Sequence, residues 1–210
     1  MTGKEDCWKG KDDAGPFVAG VPKTIRPTRS LRSLFAQMAC CTRCDLARGR
    51  TQVVPGVGPR RAEIMLIGEA PGAEEDRLGK PFVGKAGRLL DQLLAGAGID
   101  RGDVFITNVV ACRPPRNRAP RSREIAAHAP WLDAQLRIVR PRLVVALGRT
   151  ALAFFVPKGK VTELRGKVQQ VERAGLELRV LPTYHPAALL RNPDLLPDAE
   201  ADFRRIAGAR

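Results

Sequence analysis

The sequence predicts an α/β protein, a three-layer α/β/α sandwich around a central, mostly parallel four-stranded sheet. Three short apolar runs, at residues 64–67, 104–110 and 143–147, suit strands that are buried on both faces. Segments whose apolar residues recur at helical spacing follow these runs, with Gly and Pro at the junctions. This order is typical of a parallel sheet with helices on both sides.

In chain order, residues 1–28 combine Gly, Pro, Lys and Asp without a period. We interpret them as a basic, disordered N-terminal tail, and residues 29–210 as one domain. Besides the buried strands, the patterns predict helices at 30–39, 86–94, 122–140 and 198–206, and two shorter strands near 168–171 and 178–181.

The composition favours a cytoplasmic protein that binds a polyanion. No apolar run in the 210 residues is long enough to span a bilayer, and the N-terminus lacks the apolar core of a secretion signal. The 36 Lys and Arg residues outnumber the 22 Asp and Glu residues, which gives a net charge of +14. Such a charge attracts nucleic acid, although a source genome rich in arginine codons would also produce it.

The stretch after the first buried strand has the composition of a ligand-binding loop. Gly-Glu-Ala-Pro-Gly at 68–72 ends the strand, and open α/β sheets bind ligands at the carboxyl ends of their strands. Acidic residues crowd the next turn, and Phe82 follows where no helical or strand pattern requires an aromatic ring. A flat ring beside acidic and backbone polar groups suits a pocket for a heteroaromatic base. The simpler interpretation is a tight turn between strand and helix.

Polar residues also follow the later strands. Asn108 is either a satisfied structural amide or a reader of a base edge, since it offers both a donor and an acceptor. His185 lies in a Pro-bounded loop after a strand, and a lone histidine is more often structural than catalytic. The arginine-rich loop 113–121 can grip phosphates. Leu189 and Leu190 are either core residues or an apolar wedge for a base stack.

The cysteines are better candidates for metal or cluster ligands than for a disulfide framework in a cytoplasmic protein. Cys41 and Cys44 form a C-x2-C pair, the spacing with which two thiolates bind one metal centre from a single turn. Cys112 follows the second buried strand. No cysteine lies after it, and His128 is the only other soft ligand in that region.

These segments together resemble the family 4 uracil-DNA glycosylases, the iron–sulfur members of the uracil-DNA glycosylase superfamily. The resemblance covers about residues 31–206, and its motifs are too long and too many for chance to be a good explanation. They are G-E-A-P-G at 68–72 with Glu75-Asp76, G-K-P-F-V-G at 79–84, T-N-V-V-A-C-R-P-P at 107–115, and His185-Pro186 with Leu189-Leu190-Arg191.

The resemblance implies a monomeric enzyme of base excision repair, which flips uracil out of DNA and hydrolyses its N-glycosidic bond to leave an abasic site. Phe82 matches the ring that stacks on uracil, and Asn108 matches the amide that reads its edge. Glu75 matches the acid that crowds the C5 position against thymine, and His185 matches the donor to O2 of the departing anion. Leu189, Leu190 and Arg191 match the loop that enters the minor groove.

One departure from the best-known uracil-DNA glycosylases concerns the attacking water. Ala70 stands where those enzymes have an Asp that positions it, as is usual in family 4. We expect Glu69 and backbone groups to hold the water instead.

A second departure concerns the cofactor. The family has four cysteine ligands for a [4Fe-4S] cluster, and His128 stands at the fourth position, sixteen residues after Cys112. Imidazole can ligate cluster iron. Our leading hypothesis is therefore a cluster held by Cys41, Cys44, Cys112 and His128. Rescue by Cys40, a three-iron cluster and loss of the cluster are the alternatives.

Two other classes of function compete with this interpretation. The first is a non-catalytic or covalent binder of uracil-containing DNA. A related branch of the superfamily that traps uracil covalently carries a His in an arginine-rich insertion after the third ligand, and the matching stretch of this chain, 113–121, has no His. The second is a nucleotide or redox protein, against which the missing Walker and G-x-G-x-x-G patterns weigh. The range of damaged bases, the strand preference and a sliding clamp as a candidate partner stay open.

Overall fold

The computed structural model describes residues 25–209, so the predicted tail at 1–28 lies outside the described residues except for its last four. The strands are β1 (Ile64–Gly68), β2 (Phe105–Asn108), β3 (Leu143–Leu147), β4 (Gln169–Arg173) and β5 (Leu176–Thr183). The helices are α1 (Leu31–Ala39), α2 (Ala73–Leu78), α3 (Lys85–Gly96), α4 (Ser122–Val139), α5 (Gly148–Phe155), α6 (Val161–Leu164), α7 (Pro186–Leu189) and α8 (Leu196–Gly208).

The strands form one sheet in the order β2-β1-β3-β5-β4, in which all neighbours are parallel except β4 and β5. The predicted α/β class with a mostly parallel sheet is confirmed, but the count of four strands was wrong. Ala174 and Gly175 both have positive φ, which suits a two-residue hairpin turn. This hairpin adds β4 to the sheet as a fifth, antiparallel edge strand.

Helices cover both faces of the sheet. Every residue of β1, β2 and β3 is buried, including the polar Thr107 and Asn108 at the end of β2. Alternate strand residues pack on the two sides, with Leu132 and Leu136 of α4 in one hydrophobic cluster and Leu90 of α3 and Phe203 of α8 in the other. Burying each such side chain contributes about 1.5–3 kcal/mol. The core therefore fixes the sheet and leaves its strand ends to carry the site.

A smaller cluster packs α1 against α4 beside the cysteines, and includes Leu34, Met38 and Trp131. Ser30 caps α1, where the predicted helix begins. The helix α4 begins at Ser122, where it was predicted to begin, and Arg121 is its N-cap, with the Glu124 carboxylate accepting a hydrogen bond from the Arg121 N–H at 2.7 Å. None of the helices within residues 25–209 is long and apolar enough to cross a membrane.

Candidate functional site

A cavity of about 660 Å³ opens at the carboxyl edge of the parallel strands, among the loops that follow β1, β2, β3 and β5. All six residues predicted for catalysis and base recognition line it: Glu69, Ala70, Glu75, Phe82, Asn108 and His185. Arg118, Arg149 and Arg191 line the same cavity, together with the carboxylates of Glu69 and Glu75. The structure thus brings together residues that are far apart in sequence.

Gly68, the last residue of β1, shapes the floor of the cavity. It pairs with Asn108 at the end of the neighbouring strand. A Cβ on Gly68 would lie 2.6 Å from the Phe82 ring, and it would also collide with Asn108 Oδ1. The missing side chain therefore lets an aromatic ring and an amide approach each other closely enough to hold a flat ligand.

Asn108 is only 4% exposed, yet its side-chain amide makes no hydrogen bond to any described residue. Among the described residues, the fully buried side-chain polar atoms without a partner are Thr107 Oγ1 and Gln135 Oε1, so the Asn108 amide is open to the cavity rather than sealed in the core. Because Asn108 lines the cavity, a ligand with both a donor and an acceptor on one edge would satisfy it.

Phe82 holds a backbone conformation that is unusual for an aromatic residue, with φ of 53°. Two neighbours support this conformation. Arg101 Nη2 donates to the carbonyl oxygens of Pro81 and Phe82 at 3.1 and 3.0 Å. Gly87 leaves room for the Phe82 carbonyl group, because a Cβ on Gly87 would collide with it. The ring is thereby held at the cavity wall, 5.6 Å from the His185 ring between centroids.

The Glu75 carboxylate anchors the backbone of this loop. Its Oε1 accepts hydrogen bonds from the N–H groups of Val83 and Gly84 at 2.9 and 2.8 Å, and its Oε2 accepts from Gly72 at 3.1 Å. Three such bonds fix both oxygens in place. The carboxylate therefore faces the cavity as part of the loop that carries Phe82.

His185 is neutral and its tautomer is determined. Burial, reinforced by the positive charge of Arg191, lowers its pKa to about 4. Nδ1 accepts a hydrogen bond from the Ala187 N–H at 3.1 Å, as the cap of α7. The single proton must then be on Nε2, so the imidazole can donate a hydrogen bond into the cavity. Gly148, with φ of 82°, allows the close approach, because a Cβ there would lie 2.8 Å from His185 Cβ.

Glu69 reaches the cavity from the other side. Its carboxylate accepts a short hydrogen bond from the Thr150 hydroxyl, in the first turn of α5. This bond fixes one oxygen of the carboxylate. A carboxylate held in this way can orient a water molecule within the cavity.

The two leucines predicted to contact DNA differ in exposure. Leu189 is 2% exposed and packs in the hydrophobic core with α3 and α8, so we correct its assignment from DNA contact to core residue. Leu190, the next residue, is 49% exposed. Leu190 is therefore the apolar side chain available to a base stack, beside Arg191 at the cavity.

The four predicted cluster ligands come together between α1, the loop after β2 and α4. Cys41, Cys112 and His128 are buried, and Cys44 Sγ lies 3.9 Å from His128 Nδ1. The thiols of Cys41, Cys44 and Cys112 are free, whereas Cys40 is disulfide-bonded and so offers no thiolate.

Hydrogen bonds surround these ligands. Trp131 Nε1 donates to Cys41 Sγ and Arg50 Nη1 donates to Cys112 Sγ, both at 3.2 Å. Burial raises the pKa of Cys112 to about 11 despite the Arg50 charge, and burial lowers the pKa of His128. Neutral His128 donates from Nδ1 to the Glu124 carbonyl oxygen at 2.9 Å, which leaves the Nε2 lone pair available to a metal.

Among the described residues, no three His, Cys, Asp or Glu side chains could hold a single metal ion. A mononuclear site therefore does not fit residues 25–209. An iron–sulfur cluster makes a different demand, since each ligand binds a different iron and the donors need not converge on one point. Buried thiols that accept N–H hydrogen bonds have the donor chemistry of such a cluster.

Glu124 links this region to the cavity. Its buried carboxylate forms a bidentate ion pair with Arg118, with Nη–Oε distances of 2.6 and 2.8 Å. Hydrogen bonding to Arg118 lowers the pKa of Glu124 to about 2. The same residue thus contacts His128 through its carbonyl oxygen and a cavity arginine through its carboxylate.

An aromatic ring, an unpaired amide and a neutral histidine around one cavity suit a protein that recognises a nucleobase. The chain matches the uracil DNA glycosylase superfamily over residues 55–207, and it belongs to that superfamily. It is 44% identical to the type-4 uracil-DNA glycosylase of Archaeoglobus fulgidus over 84% of this chain and 92% of the relative. It is 49% identical to the type-4 uracil-DNA glycosylase of Thermotoga maritima over 72% of this chain and 79% of the relative. The type-5 uracil-DNA glycosylase of Pyrobaculum aerophilum is also similar, at 36% identity over 74% of this chain and 75% of the relative.

Sequence reasoning missed Arg101 and Thr150. Both act on other protein groups, since Arg101 donates to carbonyl oxygens of the Phe82 loop and Thr150 donates to Glu69. No motif or period marks such residues. The only signal at Thr150 was its position in the turn directly after a buried strand.

Proposed function

We propose that the chain is a uracil-DNA glycosylase of type 4, which hydrolyses the N-glycosidic bond of uracil in DNA and leaves an abasic site. The observation that carries the proposal is the unpaired Asn108 amide beside the fixed Phe82 ring, both at the wall of the cavity at the strand ends. An extrahelical uracil offers an O4 acceptor, an N3–H donor and a flat ring. These groups complement the amide and the aromatic face.

In this proposal the histidine stabilises the leaving group. Negative charge develops on the uracil ring as the glycosidic bond breaks, and the Nε2–H of His185 is fixed to donate to O2. A neutral donor suits this step, because its pKa of about 4 keeps it from protonating at physiological pH. Glu69, held by Thr150, orients the water that attacks C1′ of the sugar.

DNA binding in this proposal uses the arginines at the cavity and Leu190. Arg149 and Arg191 supply positive charge for backbone phosphates, whereas the charge of Arg118 is compensated by Glu124. Leu190 fills the gap that the flipped base leaves in the stack. Three backbone hydrogen bonds hold the Glu75 carboxylate at the cavity wall. In this position the carboxylate excludes the methyl group of thymine. We also propose that the enzyme acts as a monomer in the cytoplasm, with a sliding clamp as a candidate partner.

The decisive experiment measures base release from an oligonucleotide with a single uracil, under single-turnover conditions, for wild type, His185→Ala and Asn108→Ala. We expect wild type to release uracil and each variant to lose on the order of 10²-fold in rate. Unchanged rates in both variants would contradict the site assignment. A DNA–protein adduct stable to denaturation would favour the covalent trap, and DNA binding without base loss would favour a non-catalytic binder.

We further propose that Cys41, Cys44, Cys112 and His128 hold a [4Fe-4S] cluster, with His128 binding through Nε2. The free thiols, the N–H donors to sulfur and the Nδ1 hydrogen bond support this ligand set. Hydrolysis transfers no electrons, so the cluster acts structurally, by bracing α4 and the loop after β2. Iron and sulfide analysis of anaerobically purified protein tests it, with His128→Ala and His128→Cys beside wild type.

We expect about four irons per chain in wild type, fewer in His128→Ala, and recovery in His128→Cys. Nitrogen hyperfine coupling in the paramagnetic state should appear in wild type and be absent from His128→Cys. Equal iron content in wild type and His128→Ala would contradict histidine ligation.

A further inference from the structure

A second concave surface, of about 690 Å³, lies where residues 25–29 pack beside the C-terminal half of α4. Five of the residues that line it are arginines: Arg26, Arg29, Arg60, Arg137 and Arg140. Arg32 joins Arg29 and Arg60 around an adjoining hollow. We call the larger surface the arginine groove.

The arginine groove has an uncompensated positive charge. No Asp or Glu lines it, and none of its arginines takes part in the ion pairs found among residues 25–209. The carboxyl end of α4 lies at Arg137 and Arg140, and the helix dipole favours cations there. That effect is worth only about 0.3–1 kcal/mol per charge and does not reach Arg26, Arg29 and Arg60. Guanidinium groups gathered in this way repel one another unless an anion neutralises them.

The arginine groove and the catalytic cavity lie at opposite edges of the sheet. The cavity is built from loops at the carboxyl ends of the strands. Arg60 precedes β1, and Arg137 and Arg140 precede β3, which places them at the amino ends. A strand of five residues spans about 17 Å. DNA that inserts a uracil into the cavity therefore leaves the arginine groove unoccupied.

We propose that the arginine groove binds the phosphate backbone of a second DNA segment while the catalytic cavity engages the first. The guanidinium fork matches phosphate oxygens in a bidentate manner. Contacts to backbone phosphates carry no sequence information, so this binding is independent of sequence. Holding a second segment raises the effective concentration of undamaged DNA near the enzyme, and so speeds transfer from one segment to another.

The variant Arg60→Gln/Arg137→Gln tests the proposal, because both side chains are exposed and neither has an ion pair to lose. The matched control is Lys158→Gln/Arg204→Gln, which removes the same charge at exposed positions that line neither surface. Bead-bound undamaged duplex is loaded with protein, and capture of a second, labelled duplex is measured. Sedimentation in solution establishes the number of chains in each complex.

We expect one wild-type chain to hold two duplexes, and the groove variant to hold one. The slope of log affinity against log salt for the second duplex should fall by about 2 in the groove variant, since each phosphate contact contributes about 0.9. Single-turnover uracil release from a short substrate should be unchanged, which separates this proposal from the function of the cavity. Equal capture by the groove variant and the control variant, or capture only by complexes of two chains, would overturn the proposal.

Discussion

Replacing Arg101 with Met tests whether the strained backbone of Phe82 is needed for catalysis. A non-glycine residue in a disfavoured backbone region costs about 1–3 kcal/mol, and it persists only where its surroundings hold it. Arg101 supplies two charge-assisted hydrogen bonds to the Pro81 and Phe82 carbonyl oxygens. Such bonds contribute about 1.5–3 kcal/mol each when buried. The arginine is 34% exposed, so we take about 2 kcal/mol for the pair.

A loss of about 2 kcal/mol of positioning energy corresponds to about a 30-fold lower kcat/KM in Arg101→Met. The assay is uracil release under single-turnover conditions, together with inhibition by free uracil, which reports stacking on Phe82 without the chemical step. Asp91→Asn is the matched control, since it removes the ion pair to Arg101 but keeps both carbonyl contacts. Because that ion pair is exposed, Asp91→Asn should lower kcat/KM by less than about fivefold. Wild-type kcat/KM in Arg101→Met, or a lower melting temperature with unchanged inhibition by uracil, would refute the reasoning.

Three further outcomes are expected. Thr150→Val removes the hydrogen bond to Glu69 and should slow single-turnover uracil release about tenfold or more. Thr150→Ser keeps the hydroxyl and should release uracil at close to the wild-type rate. A pH profile of the rate for each variant separates this effect from simple unfolding. Gly68→Ala places a methyl group against the Asn108 amide and should abolish uracil inhibition while thermal denaturation shows a folded protein. The lowered pKa of His185 means that only the unfolded chain takes up its proton between about pH 6.5 and 4, so the free energy of unfolding should fall as pH falls through that range. Denaturant titrations of wild type and His185→Gln at both ends of the range measure it, and an equal pH dependence in the two proteins would contradict it.

The strands β1 and β3 could be predicted because burial on both faces leaves no polar interruption in their sequences. A strand was also predicted near residues 168–171, where β4 lies, but the predicted sheet of four strands did not hold all five. Gln-Gln-Val-Glu-Arg pairs on one side only and has no apolar pattern that would place it in the sheet. Its pairing depends on the Ala174-Gly175 turn, which is not an Asn-Gly or Asp-Gly signal. A fully buried strand such as β1 or β3 must be apolar throughout, whereas the partly exposed β4 can have a polar sequence.

The site residues could be predicted as a group because parallel strands bring their carboxyl ends to one edge of the sheet. Leu189 and Leu190 show where this reasoning fails. Both are leucines in the same short segment, and only the turn of α7 decides that one enters the core and the other stays exposed. Adjacent positions on a helix differ by about 100° in direction, so a motif that names both cannot separate them.

Glu75 shows how a single residue joins the fold to the chemistry. Its carboxylate accepts three backbone hydrogen bonds from two sides of the loop, and those bonds set where the Phe82 ring stands. The same bonds hold the carboxylate at the cavity wall. In the proposed function this one side chain would both anchor the loop and exclude the thymine methyl group.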